Sequence, residues 1–272
     1  MKPTTFTAYR WELRKLRSQK RTYLGLGAAV AVPLIFVTAL SLRSGGPDDV
    51  PFGRYVHSTG LAIPLVLLLF GAIWMYPLIT ALVAGDIVAA EDSNGTLKTL
   101  LTRSLERWQI FVAKSLAAAS YAIVAILLSG AVAITAGCIV SGFNPLTSLS
   151  GQPVSAASGL GLVVASLFVY LLPILAVVCV GLFLSTVTRN SAAAIVGTLM
   201  FSLAMQLIGI LPGLGFLQPY LLSTQFNAWQ GLLRTPVDYV PLTRAAWVCA
   251  LYAVPALIGA LAVFVRRDVA GG

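Results

Sequence analysis

Few side chains in this sequence have the type and spacing for chemistry. Proton or ion carriage inside a membrane needs Asp, Glu, His or Arg at depth. In the apolar part of the chain only Asp86 qualifies, at the inner end of an apolar run. It has no second membrane Asp to form a catalytic dyad. The single histidine, His57, stands in a short Gly-, Pro- and Asp-containing segment, 43–58, and is assigned no role. Cys138, Cys179 and Cys249 are isolated in apolar stretches, without the spacing of a metal or redox centre, so packing is their expected role and no metal site is expected. A phosphate-cradling GxxxxGK[ST] loop is absent. The chain is therefore not expected to be an enzyme. What remains is a charged, turn-forming island, Glu91-Asp92-Ser93-Asn94-Gly95-Thr96-Leu97, running on to Lys114.

The island is positioned by what flanks it. Leu61 to Ala84 and Ser115 to Val140 are apolar runs, each longer than the roughly 20 helical residues that cross a bilayer. Hydrophobic residues make up 58% of the 272 positions and charged residues 10%, with a mean hydropathy of +0.90, far from a soluble domain. Charge-poor windows at 22–42, 59–84, 115–141, 158–185, 192–214 and 245–265 predict six transmembrane helices in one domain, an all-α integral membrane protein. With both termini on one side, that side holds fourteen of the 18 Lys and Arg residues; only Arg43, Arg54, Arg234 and Arg244 fall on the other. The positive-inside rule puts both termini and the island in the cytoplasm. Topology thus accounts for the +9 net charge, and no nucleic-acid partner is expected.

Residues 4–20 have helical periodicity. Phe6, Tyr9, Leu13 and Leu16 share one face, with Glu12, Lys15 and most of the other basic residues spread over the rest, which fits a helix lying in the bilayer interface or, equally, cations that only fix topology. Residues 216–244 predict short helices tucked into the outer leaflet, with Tyr220, Trp229, Tyr239 and Trp247 at headgroup depth. Pro64, Pro77, Pro173 and Pro255 lie inside spans and permit kinks.

Within the island, Asn94-Gly95 is a turn dipeptide and Thr96 is placed to cap the helix that follows. Leu97, Leu100, Leu101, Leu105 and Trp108 then recur at helical spacing opposite Lys98 and Arg103, with Arg107 at the flank. These residues resemble the membrane subunits of ABC-2 type ABC transporters, where the loop after the second span reads Glu, three residues, Gly-Thr-Leu, then Leu-Leu, Arg and a final Lys. The matching positions are Glu91, Gly95, Thr96, Leu97, Leu100, Leu101, Arg103, Arg107 and Lys114; Ser104 stands where family members often have Pro. Leu184 to Asn190 looks like the family's short inner turn.

The resemblance implies an ABC-2, type V exporter-like transmembrane domain in a bacterial plasma membrane. It also implies a coupling loop over 85–114 that docks on a separate ATPase subunit, with Glu91 and the turn after it touching the ATPase and the N-terminal helix packed beside it. The chain itself would bind no cofactor, the partner ATPase would hold ATP and Mg, and a second membrane subunit, identical or not, would complete the unit. Thr80, Ser120, Tyr121, Ser129, Tyr170, Ser202 and Gln206, scattered over apolar spans, favour a hydrophobic or amphipathic cargo. An ion-coupled secondary transporter, with Asp86 as the carrier, and an intramembrane enzyme are the competing classes.

Overall fold

The computed structural model describes residues 4–42, 45, 49–93 and 106–266. Helix α1, Thr5–Arg17, starts at Thr4, whose hydroxyl accepts the Thr7 amide (3.4 Å), and carries Arg14, Lys15 and Arg17 in its last turn, where the helix dipole favours cations. Then come α2 (Lys20–Ser41), α3 (Ala62–Gly71), α4 (Met75–Ala84), the short α5 (Ala89–Ser93) and α6 (Arg107–Ser141). A two-stranded hairpin pairs Leu146–Thr147 with Pro153–Val154. It leads into α7 (Ala156–Thr188), α8 (Ser191–Ile210), the one-turn α9 (Leu222–Gln225) and α10 (Val240–Val265). Tight 3-10 turns at Gly53–Tyr55, Gly215–Tyr220 and Ala228–Leu233 complete the connections.

Among the described residues, α2, α6, α7, α8 and α10 are each long and apolar enough to cross a membrane, and α3 with α4 supplies a sixth if the bent pair is one span. The protein is thus a mostly helical, multi-pass membrane protein. Helix α7 is the axis, packed by α10, α8, α4 and α6. At 1.5 Å per residue, the 35 residues of α6 reach about 50 Å, well beyond a hydrocarbon core of about 30 Å. The span expected over 115–141 is therefore the later part of a helix that already begins at Arg107.

The segment 59–84, read from sequence as one span, is two helices bent by 62°. Pro77 explains the break: it has no N–H to bond the Ile73 carbonyl, and its ring excludes the preceding helical turn, so α4 restarts at Met75 with Pro77 in its first turn. Polar side chains line the break. The Tyr170 hydroxyl donates to the Leu68 carbonyl (3.1 Å) and the Gln206 amide to the Ala72 carbonyl (3.2 Å). The Tyr76 hydroxyl meets Ser129 Oγ (3.0 Å), and the rings of Tyr76 and Tyr170 pack edge to face at 5.4 Å. Pro173 and Pro255, by contrast, sit within unbroken helices.

Residues 216–244 form the short helical turns expected, but Trp229 is fully buried against Phe52 (6.3 Å between ring centres) and is not a headgroup-level residue. Tyr220, Tyr239 and Trp247 remain exposed. His57 is exposed as well. At the same end of the bundle, Gly60 and Gly137 bring two backbones together: a Cβ on Gly60 would lie 2.3 Å from the Gly137 carbonyl carbon. Backbone gives way far less readily than a flexible side chain. Gly60→Ala is expected to destabilise the fold by about 1–3 kcal/mol through overpacking, measured as earlier exposure of the free cysteines Cys138, Cys179 and Cys249 to a thiol-reactive dye on heating in detergent.

Candidate functional site: a buried ion network at the charged end

Helix α1 does not rest on the bundle only through its apolar residues. Leu16 is buried, and Tyr9 and Leu13 pack against the core, while Phe6 is 66% exposed and touches only the edge of the face it was expected to share. The surprise is Glu12. Expected among the residues spread away from the apolar face, it is buried with Leu16, one helical turn away.

The reason is Lys114. Its side chain is completely buried, two turns into α6 behind Ile110 and Phe111, and an ammonium there must be paired to be tolerated. Its Nζ lies 2.8 Å from Glu12 Oε1 and 2.7 Å from Glu91 Oε2, and it donates to the Ile87 carbonyl at 3.3 Å. Glu91, 2% exposed in α5, is bonded through its other oxygen by Lys15 of α1. One cation thus joins α1, α5 and α6. Burial pushes the Glu91 carboxyl up, but Lys114 and Lys15 outweigh that and hold it below its ordinary value of 4.5.

A second cluster adjoins the first. Asp86, just past the end of α4, is ion-paired to Arg21 at the start of α2 and accepts the Ser191 hydroxyl from the start of α8. Here burial raises the carboxyl pKa more than the nearby Arg21 lowers it. Gly85 lets this turn approach α8 closely: a Cβ there would lie 2.9 Å from the Ile195 backbone. Ser185 of α7 accepts the amides of Val88 (3.3 Å) and Ala89 (3.0 Å), and Arg189, in the left-handed conformation that ends α7, reaches Asp92 at 3.8 Å. Glu12, Glu91 and Asp86 are matched in number by Lys114, Lys15 and Arg21, so these buried carboxylates are offset without an added ion.

Of the residues singled out in the sequence, Glu91 and Arg107 are described, whereas Gly95, Thr96, Leu97, Leu100, Leu101 and Arg103 lie outside the described residues. Arg107 donates to the Val265 carbonyl at the end of α10 (2.8 Å) and so ties the two helices together. Trp108 is half exposed and bonds Glu106, which caps α6 reciprocally with Gln109. Lys114 and Glu12 were missed as partners. The signals were a lone cation between Phe111 and Leu116 in an apolar run, and the only acid among the first 47 residues. Among the described residues, no group of three His, Cys, Asp or Glu is placed to hold a metal ion.

The helices and their charged end define a multi-pass membrane protein whose loop and N-terminal helix are locked together by buried ion pairs. A family model described as protein of unknown function (DUF2705) matches residues 34–270, and the chain belongs to that family. No curated protein matches it.

Removing one partner of a buried pair strands the other. Lys114→Ala is expected to cost about 3–5 kcal/mol of stability, and Lys15→Ala, whose side chain is 42% exposed, much less, both measured by thermal unfolding in detergent. Because the folded Glu91 has the lower pKa, its contribution is present above its unfolded value of 4.5 and is lost as pH falls through the folded value. Glu91→Gln should remove that part of the acid-side slope in a melting-temperature series.

Proposed function

We propose that this protein is the membrane-spanning subunit of an ATP-driven ABC-2 type transporter, an exporter of a hydrophobic or amphipathic compound. Its loop 85–114 would be driven by a separate ATPase subunit. The observation that carries this reading is the burial of Glu91, the position matching the acidic residue of the ABC-2 loop pattern. A loop whose charges only solvated it would leave Glu91 in water. Here it is pinned by Lys114 and Lys15, so a push on the loop is transmitted to α1 and α6 through short ionic contacts rather than dissipated in a slack connection.

In this reading Gly95 to Arg103 carry the docking contact, the termini and loop are cytoplasmic, and two membrane subunits work with two ATPase subunits that hold ATP and Mg. The host membrane is the bacterial plasma membrane. An ion-coupled carrier would need a titrating carboxylate along its path. Asp86 is the residue for that role, but Arg21 already neutralises it at the charged end, beyond α4. An intramembrane enzyme would need a nucleophile with a base beside it. The buried Tyr76 and Ser129 hydroxyls bond each other instead.

Affinity purification of the full chain from its native host in mild detergent is expected to bring a Walker-motif ATPase in stoichiometric amount, and its reproducible absence would overturn the reading. Glu91→Ala and Gly95→Val are expected to insert normally yet lose transport or ATPase coupling by about tenfold, the scale of 1.4 kcal/mol; normal transport by both would remove the coupling role.

A further inference from the structure

At the end of the bundle remote from α1, the arginines differ in their company. Arg234 is paired with Asp238 (3.4 Å) and Arg54 lies over the Tyr55 ring (6.0 Å). Arg244 meets no carboxylate among the described residues. It lies one turn into α10 and lines a cleft of about 400 Å³ with Pro219, Tyr220, Val240, Thr243 and Trp247. Tyr220 and Trp247 pack edge to face across it at 5.8 Å, and Tyr220 is held in place by the Tyr252 hydroxyl, which donates to its carbonyl (3.1 Å).

Below the cleft the same face of α10 continues as an apolar stripe. Trp247, Leu251, Val254 and Ile258 follow Arg244 at steps of three and four, and these four are between 47% and 63% exposed. From Arg244 to Ile258 the stripe runs about 20 Å, somewhat more than one leaflet of the hydrocarbon core. A cation, two amphipathic rings and an apolar track stand in the order of a phospholipid's phosphate, glycerol and acyl chain.

We infer that this cleft seats one anionic glycerophospholipid, its phosphate on the Arg244 guanidinium and an acyl chain along Trp247, Leu251, Val254 and Ile258. A guanidinium suits a phosphate because its forked N–H groups meet two phosphate oxygens at once. A soluble phosphate would use the head of the site and leave the stripe unused. The net negative charge of the lipid matters because the Arg244 cation has no carboxylate partner among the described residues. The site does not depend on ATP coupling; it needs only that α10 be in a membrane.

The test is native mass spectrometry of the full chain released from mixed micelles containing phosphatidylglycerol or phosphatidylcholine, counting lipid retained. One phosphatidylglycerol should survive release from the wild type, with phosphatidylcholine retained about tenfold less. R244Q should lose that retention about tenfold, and R244K, which keeps the charge but not the fork, should lose less than R244Q. W247A should weaken it while leaving the cation in place, which guards against misfolding of a single variant; R234Q, at the same end, should change nothing. Equal retention of both lipids by the wild type, or unchanged phosphatidylglycerol on R244Q, would overturn the inference, the bound lipid then being annular. Displacement by glycerol phosphate as readily as by phosphatidylglycerol would also overturn it, since the headgroup alone would then be the ligand.

Discussion

A single buried ammonium organises one end of this molecule. Lys114 has no exposed surface, and leaving it unpaired would cost more than a typical core contact returns. It therefore requires two carboxylates in place, and those carboxylates come from elements far apart in sequence: Glu12 from the N-terminal helix and Glu91 from the short helix that opens the charged island. Lys15 completes the second of these, and Arg21 and Asp86 close the adjoining pair. That charge ties α1, α5 and α6 together, alongside the apolar packing of Leu16, Tyr9 and Leu13 and the Ser185 contacts that hold the chain as it leaves α4.

The break between α3 and α4 is held differently. Its contacts are neutral hydrogen bonds from Tyr170 and Gln206 to main-chain carbonyls, and the Tyr76–Ser129 pair, each worth about 0.5–1.5 kcal/mol net. Breaking one of them strands no charge. Removing one partner therefore costs more at the ionic end than at the α3–α4 bend.

The large-scale arrangement was legible because it is written in composition. Apolar runs of sufficient length mark the membrane helices, and the division at Pro77 follows from a missing N–H, although the sequence alone does not say whether a proline bends a helix or ends it; Pro173 and Pro255 show the other outcome. The network was only half legible. Glu91 stood out by its place in the island, but Lys114 looked like one more cation favouring one side of the membrane, and Glu12 like one more exposed residue of an amphipathic helix. Pairing between residues 102 apart is set by tertiary packing, which helical periodicity does not report. Trp229 failed for a related reason: an aromatic residue in a segment of short turns fits an interface or a core equally well, and Phe52 from a distant loop decided for the core.

The claim that Lys114 makes α1 and the start of α6 one rigid body is tested most directly by a distance distribution. Spin labels at exposed Arg10 and Trp108, in a background with the three cysteines replaced, would be measured by double electron–electron resonance in lipid nanodiscs. A single narrow distance in the otherwise wild-type protein that broadens on Lys114→Met is the predicted result. A distribution left unchanged by Lys114→Met would contradict the account, because α1 would then be held without Lys114, by its apolar face, the Tyr9–Ser120 hydrogen bond and the Lys15–Glu91 pair.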